Sequence, residues 1–184
     1  MSAETEYKFI LNKADFYNAL NKSESRYGEA LPTLQINYYY DNEMYSLLSQ
    51  DITLRVRQIG NELKLQRKIH RKRKGSFVLS DEYEETITKF PDRIDGAYTL
   101  KGALVTYRRR IILDNEVGYI DFDENYYLGT SDNEIEIELK HAQDNKAVEI
   151  ASFLGLASSM SVKGKSTRFF ERLFSLNYNK EGVL

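Results

Sequence analysis

Apolar and polar positions alternate with a period of two at the start of the chain. In an extended strand Glu4, Glu6 and Lys8 share one face, while Thr5, Tyr7 and Phe9 share the other. The period then lengthens over residues 10–25, where Asn12 is placed to cap a helix, Asp15 sits three residues on, and Phe16, Ala19 and Leu20 form one apolar face. Residues 34–41, rich in Tyr and Ile, predict a second strand that ends in the turn-prone pair Asp41 and Asn42. A short helix is expected over 44–50. Residues 53–59 and 62–69 form a hairpin through Gly60 and Asn61. The basic run from His70 to Lys74, followed by Gly75, reads as a solvated loop rather than a nucleic-acid patch. A strand follows over 77–88, and residues 91–101 are ambiguous, with helical character around 94–100. Strands over 103–114 and 117–127 flank Asn115 and Glu116, and 133–141 carries the alternation Glu134, Ile135, Glu136, Ile137, Glu138, Leu139. Two amphipathic helices close the chain, over 144–154 and 166–176, the latter with Phe169, Phe170, Leu173 and Phe174 on its apolar face. About eight strands and three or four helices predict an antiparallel α+β fold.

Composition narrows the class without naming a chemistry. A chain of 184 residues suits one domain, 1–184, with a sizeable core. It has no cysteine, which excludes disulfides, thiolate metal sites and a cysteine nucleophile and fits a reducing, cytoplasmic setting. No apolar run reaches the about 18 residues of a membrane span, and no signal-like segment opens the chain, so no membrane partner is expected. With 26 basic and 28 acidic residues, net charge gives no reason to expect nucleic acid as a partner.

The informative feature is how the charges are sorted. Taking one parity per strand gives Glu4, Glu6 and Lys8; Arg55 and Arg57; Lys64 and Lys68; Glu82 and Glu84; Arg108 and Arg110; Asp121 and Asp123; and Glu134, Glu136 and Glu138. Apart from Lys8, each strand carries one sign. A solvated sheet face normally mixes signs, because like charges side by side repel. If the strands closed into a barrel with this parity inward, a basic wall would face an acidic one, and the apolar parity, including Leu54, Val56, Leu65, Ile135 and Ile137, would be covered outside by helices. Arg matches phosphate oxygens and carboxylates suit hard divalent ions, so the guest expected of such a lumen is a metal-bound polyphosphate.

These motifs resemble the CYTH, or triphosphate tunnel metalloenzyme, superfamily. The resemblance rests on Glu4-x-Glu6-x-Lys8 followed in order by Tyr39-Tyr40-Asp41, Leu54-Arg55-Val56-Arg57, Glu82-Tyr83-Glu84, Asp123 before Tyr127-Leu128-Gly129, Glu134-Ile135-Glu136, and Lys163-Gly164-Lys165 with Arg168-Phe169. It implies an eight-stranded antiparallel barrel forming a tunnel, in which Mg or Mn assists hydrolysis of a triphosphate such as inorganic or thiamine triphosphate. Position by position, it implies Glu4, Glu6, Glu134 and Glu136 as metal-binding, with Asp123 and Glu138 in support. Lys8, Arg55, Arg57, Arg108, Arg110, Lys163 and Lys165 become the phosphate cradle, and Glu4, Glu6, Lys8 and Arg57 stand closest to the chemistry. Two positions depart from the family pattern. Leu63-Lys64-Leu65-Gln66-Arg67-Lys68 leaves open whether Lys64 or Lys68 meets phosphate, and Ser80 and Asp81 stand where an Arg is often found.

The implied mechanism uses one ion to bridge phosphate oxygens and a second to lower the pKa of an attacking water, with no nucleophilic side chain. No P-loop pattern competes with it. His70 and His141 read as ordinary surface histidines, and the fourteen tyrosines read as structural, with Tyr39 and Tyr40 the foremost exceptions. The alternatives are an adenylate cyclase, for which no adenine or ribose pocket is marked, and a non-catalytic polyphosphate-binding module, which would not need the acidic set. Oligomeric state is not legible.

Overall fold

The computed structural model describes residues 2–74, 77–114, 117–140, 144–156 and 162–181. The Glu4 side chain, the Asn115 and Glu116 turn, and His141 lie outside the described residues.

Eight long strands close into an antiparallel barrel. In chain order they are β1 (Ser2–Leu11), β2 (Leu31–Asp41), β3 (Ile52–Ile59), β4 (Glu62–Lys74), β5 (Phe77–Ile87), β7 (Tyr98–Asp114), β8 (Gly118–Tyr127) and β9 (Thr130–Leu139), with a two-residue β6 (Arg93–Ile94) paired to β7. Around the barrel the order is β2-β3-β4-β5-β1-β9-β8-β7, and β2 pairs with β7 to complete the ring. Closure leaves no long unpaired edge among these eight strands.

The helices form where the caps predict. Helix α1 (Lys13–Tyr27) starts after Asn12, whose side chain accepts from the Asp15 backbone N–H at 3.0 Å. Helix α2 is a single turn (Ser46–Ser49), and the Asp41 carboxylate accepts from the backbone N–H groups of Leu47 and Leu48 at 3.1 and 3.0 Å. Helix α3 spans Asp144–Leu154 and α4 spans Lys165–Glu181. Phe16 and Leu20 of α1 and Ile150 and Leu154 of α3 pack on the outward residues Ile120, Phe122, Ile135 and Ile137. A second cluster, around Tyr40, Leu54, Val56 and Ile94, covers part of the opposite outer face. Among the described residues no helix is long and apolar enough to cross a membrane.

Three expectations change. The basic run is not a solvated loop: β4 continues to Lys74 and pairs with β5, a bulge between His70 and Lys72 absorbing one residue. The segment 94–100 is not helical. Asp95 and Gly96 both take positive φ, at 49° and 69°, and turn the chain from β6 into β7. Finally, α4 does not merely coat the outside. Tyr39 lies across from Arg55, which faces the lumen, so Tyr39 faces inward as well. Phe169 of α4 packs on Tyr39 at 5.0 Å between ring centroids, in a cluster with Leu104 and Phe170. Helix α4 therefore lies across one end of the barrel.

This seating requires Gly102, the β7 residue opposite Tyr39. A Cβ there would stand 2.8 Å from the Phe169 ring, and φ is +147°. Gly102→Ala is expected to destabilise the fold by about 1–3 kcal/mol, read as a lower denaturant midpoint at unchanged slope. An unaltered midpoint would show that α4 is not seated against β7.

Candidate active site: a charge-sorted barrel cavity

Strand order turns the sorted charges into two arcs. The neighbours β5, β1, β9 and β8 supply the inward acids, and the neighbours β7, β2, β3 and β4 supply the inward bases, with β2 contributing neutral Gln35, Asn37 and Tyr39. The cavity between them measures about 110 Å³. Its walls include Glu6, Lys8, Arg55, Arg57, Lys68, Glu82, Arg108, Arg110, Glu136 and Glu138, and the first turn of α4 contributes Lys165, Ser166 and Thr167.

The two arcs neutralise each other. Glu6 meets Lys8 at 3.0 Å and Lys68 at 3.1 Å. Glu136 pairs with Lys8, with Arg108 at 2.8 Å and with Lys165 at 2.9 Å. Arg108 clasps Asp123 with two hydrogen bonds of 2.7 and 2.6 Å and reaches Asp121 at 2.5 Å. Arg110 pairs with Asp121 at 2.7 Å and lies 3.6 Å from the centroid of the Tyr119 ring. Arg55 donates to Gln66 at 2.8 Å and faces Glu82 at 3.7 Å.

Arg57 differs from its neighbours. Its Nε donates to the neutral Asn37 at 3.0 Å, and among the described residues it makes no ion pair. Burial, then the guanidinium groups of Arg55 and Arg108, push its pKa down to about 10. Its charge lies beside two like charges and is ion-paired to no carboxylate among the described residues.

The acids also shift downward, which for a carboxylate favours the charged form. Burial pushes the Glu6 carboxyl up, but Lys68 and Lys8 outweigh it and hold it down at about 2. Glu136, buried as well, is held well below the usual carboxylate range by Lys165, Lys8 and Arg108. Burial works against the charge of Lys8, yet Glu136 and Glu6 raise its pKa. The set stays ionised at neutral pH.

Most of the sequence-derived residues with described side chains converge, and four do not reach the cavity. Lys163 is 62 % exposed and pairs with Glu171 at 2.6 Å, because it precedes α4 and points to solvent. Lys64 pairs with Glu84 at 3.0 Å at the barrel rim, so Lys68 is the β4 lysine in the cavity. Asp123 and Glu134 face the barrel interior but are fully buried beneath Lys165, which meets them at 2.9 and 2.7 Å, and Arg168 also holds Glu134. Glu4 stands opposite Ser80 in the β1–β5 register, and its side chain lies outside the description. The structure adds His70, which lines the cavity with Nδ1 2.9 Å from the buried Ser80 hydroxyl, so it is not a surface histidine. Glu82 and Asp121 also belong to the charge network, and both share the inward parity of their strands.

A hard divalent cation prefers carboxylate oxygens. Glu6 lies directly across from Glu138, a like-charge pair that disfavours itself unless a cation stands nearby. Glu6 Oε1 and Glu134 Oε1 are buried and accept no hydrogen bond, although the former has Lys68 nearby without hydrogen-bond geometry. The donor chemistry therefore fits a hard divalent cation. Among the described residues no three carboxylates already converge as a coordination shell, so a bound cation would have to compete with Lys8 for Glu6 and Glu136.

Comparison with known proteins agrees with this architecture. A family model described as the CYTH domain matches residues 2–170. An adenylate cyclase candidate from Bacillus halodurans superposes with a TM-score of 0.71 at 21% identity, over 92% of this chain and 100% of that one. An adenylyl cyclase candidate from Hippeastrum, described as having a dominant triphosphatase activity, gives 0.73 at 20% identity, over 91% and 95%. The Mimivirus capping enzyme triphosphatase gives 0.59 at 11% identity, over 84% and 90%. At these identities the superpositions carry the fold. A search of curated proteins gives no match.

The depressed carboxylates predict acid sensitivity. Folded-state pKa values below the ordinary 4.5 mean that the ion pairs of Glu6 and Glu136 stabilise the fold above about pH 4.5, and that this contribution is lost as pH falls toward about 2. Asp121, pushed up by burial, has the opposite sign and offsets part of it. The melting temperature should fall steeply between about pH 5 and about pH 3 and less steeply in Glu136→Gln. A wild-type profile that is flat across this range would contradict the pairing.

Proposed function

This chain belongs to the CYTH domain family, and on that premise we propose that it hydrolyses a triphosphate held in the barrel cavity with the help of Mg or Mn. The observation that carries the reading is Arg57, an arginine with no counter-ion among the described residues, set between Arg55 and Arg108 in the basic arc. A chain of phosphates supplies several negative charges along such an arc, whereas a monoanion supplies one. Inorganic triphosphate and thiamine triphosphate are the substrates in view, and a cytoplasmic setting belongs to the same reading.

In this reading Lys8, Arg55, Arg57, Lys68, Arg108, Arg110 and Lys165 neutralise and orient the phosphate oxygens. Arg55 and Arg57, with their planar forks, stabilise the charge that grows on the leaving diphosphate as the terminal phosphoanhydride bond breaks. Glu4, Glu6, Glu136 and Glu138 would hold the cation, and Glu134 and Asp123 support them from beneath Lys165. A bound divalent ion supplies charge neutralisation at the phosphates and a more acidic water at neutral pH. The protein's own part is to hold the phosphate chain against the basic arc and to place the carboxylates opposite it. Hydrolysis is favoured over cyclisation because the described lining residues offer two rings, Tyr119, covered by Arg110, and the His70 imidazole, engaged by the Ser80 hydroxyl. The triphosphatase activity described for the Hippeastrum relative supports the same choice.

Purified protein with Mg or Mn should release phosphate from inorganic or thiamine triphosphate, and a chelator should stop it. Glu6→Gln should abolish turnover while leaving the circular dichroism spectrum folded. Arg57→Ala should raise KM by about 10- to 100-fold, the loss of a charged hydrogen bond of about 1.5–3 kcal/mol. Chelator-resistant turnover, or conversion of ATP to a cyclic product in place of phosphate release, would overturn the reading.

A further inference from the structure

The first turn of α4 carries two cations, Lys165 and Arg168, and no acid. This placement opposes the helix dipole, whose N-terminus is already positive, so these cations do not serve the helix itself. Both are held by the barrel instead.

Arg168 makes a fork on Asp132, with Nε 2.9 Å from Oδ2 and Nη2 3.1 Å from Oδ1. The same Nη2 reaches Glu134 Oε2 at 2.9 Å, and that one oxygen also receives Lys165 Nζ at 2.7 Å. Nη1 donates to the backbone carbonyl of Lys163, while the Arg168 backbone N–H donates to the Gly164 carbonyl. A single side chain thus ties the segment before α4 to the start of β9. Its seat is fixed in turn: Asp132 accepts from Asn125 at 2.9 Å and from the Tyr127 hydroxyl at 2.8 Å, and Asn125 accepts from the buried Thr106 hydroxyl at 2.8 Å. Arg168 is absent from the cavity wall, whereas Lys165 is part of it.

We propose that Arg168 is a positioning residue: clasped on Asp132 and sharing Glu134 Oε2 with Lys165, it holds the Lys165 ammonium over the cavity so that it meets the substrate's phosphates. The proposal rests on the triphosphate reading above. Without the clasp the segment from Lys163 to Lys165 loses its tie to β9, and Lys165 must be ordered at the moment of binding, which lowers affinity. A lysine at 168 keeps the charge but not the fork, so charge alone does not replace it.

The test is calorimetric binding of inorganic triphosphate with Mg to wild type, Arg168→Ala, Lys165→Ala, the double variant and Arg168→Lys. Arg168→Ala should weaken binding about 10-fold. Added to Lys165→Ala it should cost less than about two-fold more, because both act through one ammonium group. Arg168→Lys should recover only part of the affinity. Where Arg168→Ala fails to fold, Asp132→Asn, which keeps both shape and arginine, carries the same cycle. Wild-type affinity in Arg168→Ala, or effects that multiply in the double variant, would overturn the positioning role. Failure of the wild type to bind triphosphate would instead overturn the functional reading beneath it.

Discussion

A buried charge must find a counter-charge, and that requirement organises this molecule. The barrel takes glutamates, aspartates, lysines and arginines out of bulk water, which is costly for each of them alone. It is tolerated because the strand order makes one half of the ring acidic and the other basic. Lys8, the lone cation of the acidic arc, stands between Glu6 and Glu136 and bridges them. On the proposed reading the same arrangement that lets the barrel fold makes it a receptor, because its ion pairs can be exchanged for a guest that carries both a polyanion and cations.

The remaining features serve this exchange. Helices α1 and α3 remove the outward apolar residues from water and leave the lumen polar. Helix α4 instead closes one end with Phe169 while turning Lys165 toward the cavity, so a hydrophobic contact and a cavity-facing cation depend on the same helix. Glu134 links the two, because its Oε2 holds both Lys165 and Arg168.

Much of this was legible in the amino-acid sequence, and for a definite reason. Strand alternation assigns residues of one parity to one face, so the segregated signs at Arg55 and Arg57, or at Glu134, Glu136 and Glu138, are visible before any tertiary contact is known. What remained hidden depends on register and on where elements end. His70 enters the wall because β4 runs through a basic stretch that resembles a loop, and only pairing with β5 stabilises that extension. Lys163 and Lys165 look equivalent two residues apart, but α4 begins at Lys165, leaving Lys163 outside. Asp123 and Glu134 share the acidic parity yet do not line the cavity, because Arg108 of β7 and Lys165 of α4 cover and pair with them inside the barrel. Arg168 belongs to the last basic element that the sequence marks, but its clasp on Asp132, 36 residues away, was not legible there.

On the proposed reading the two arcs form a site for a metal-bound polyphosphate. A ligand that binds the folded chain alone raises its melting temperature. Thermal unfolding in inorganic triphosphate with Mg, against sulfate of equal ionic strength with Mg, therefore tests it most directly. The account predicts an upward shift that saturates with triphosphate and is absent in sulfate. Equal midpoints in the two anions would contradict it.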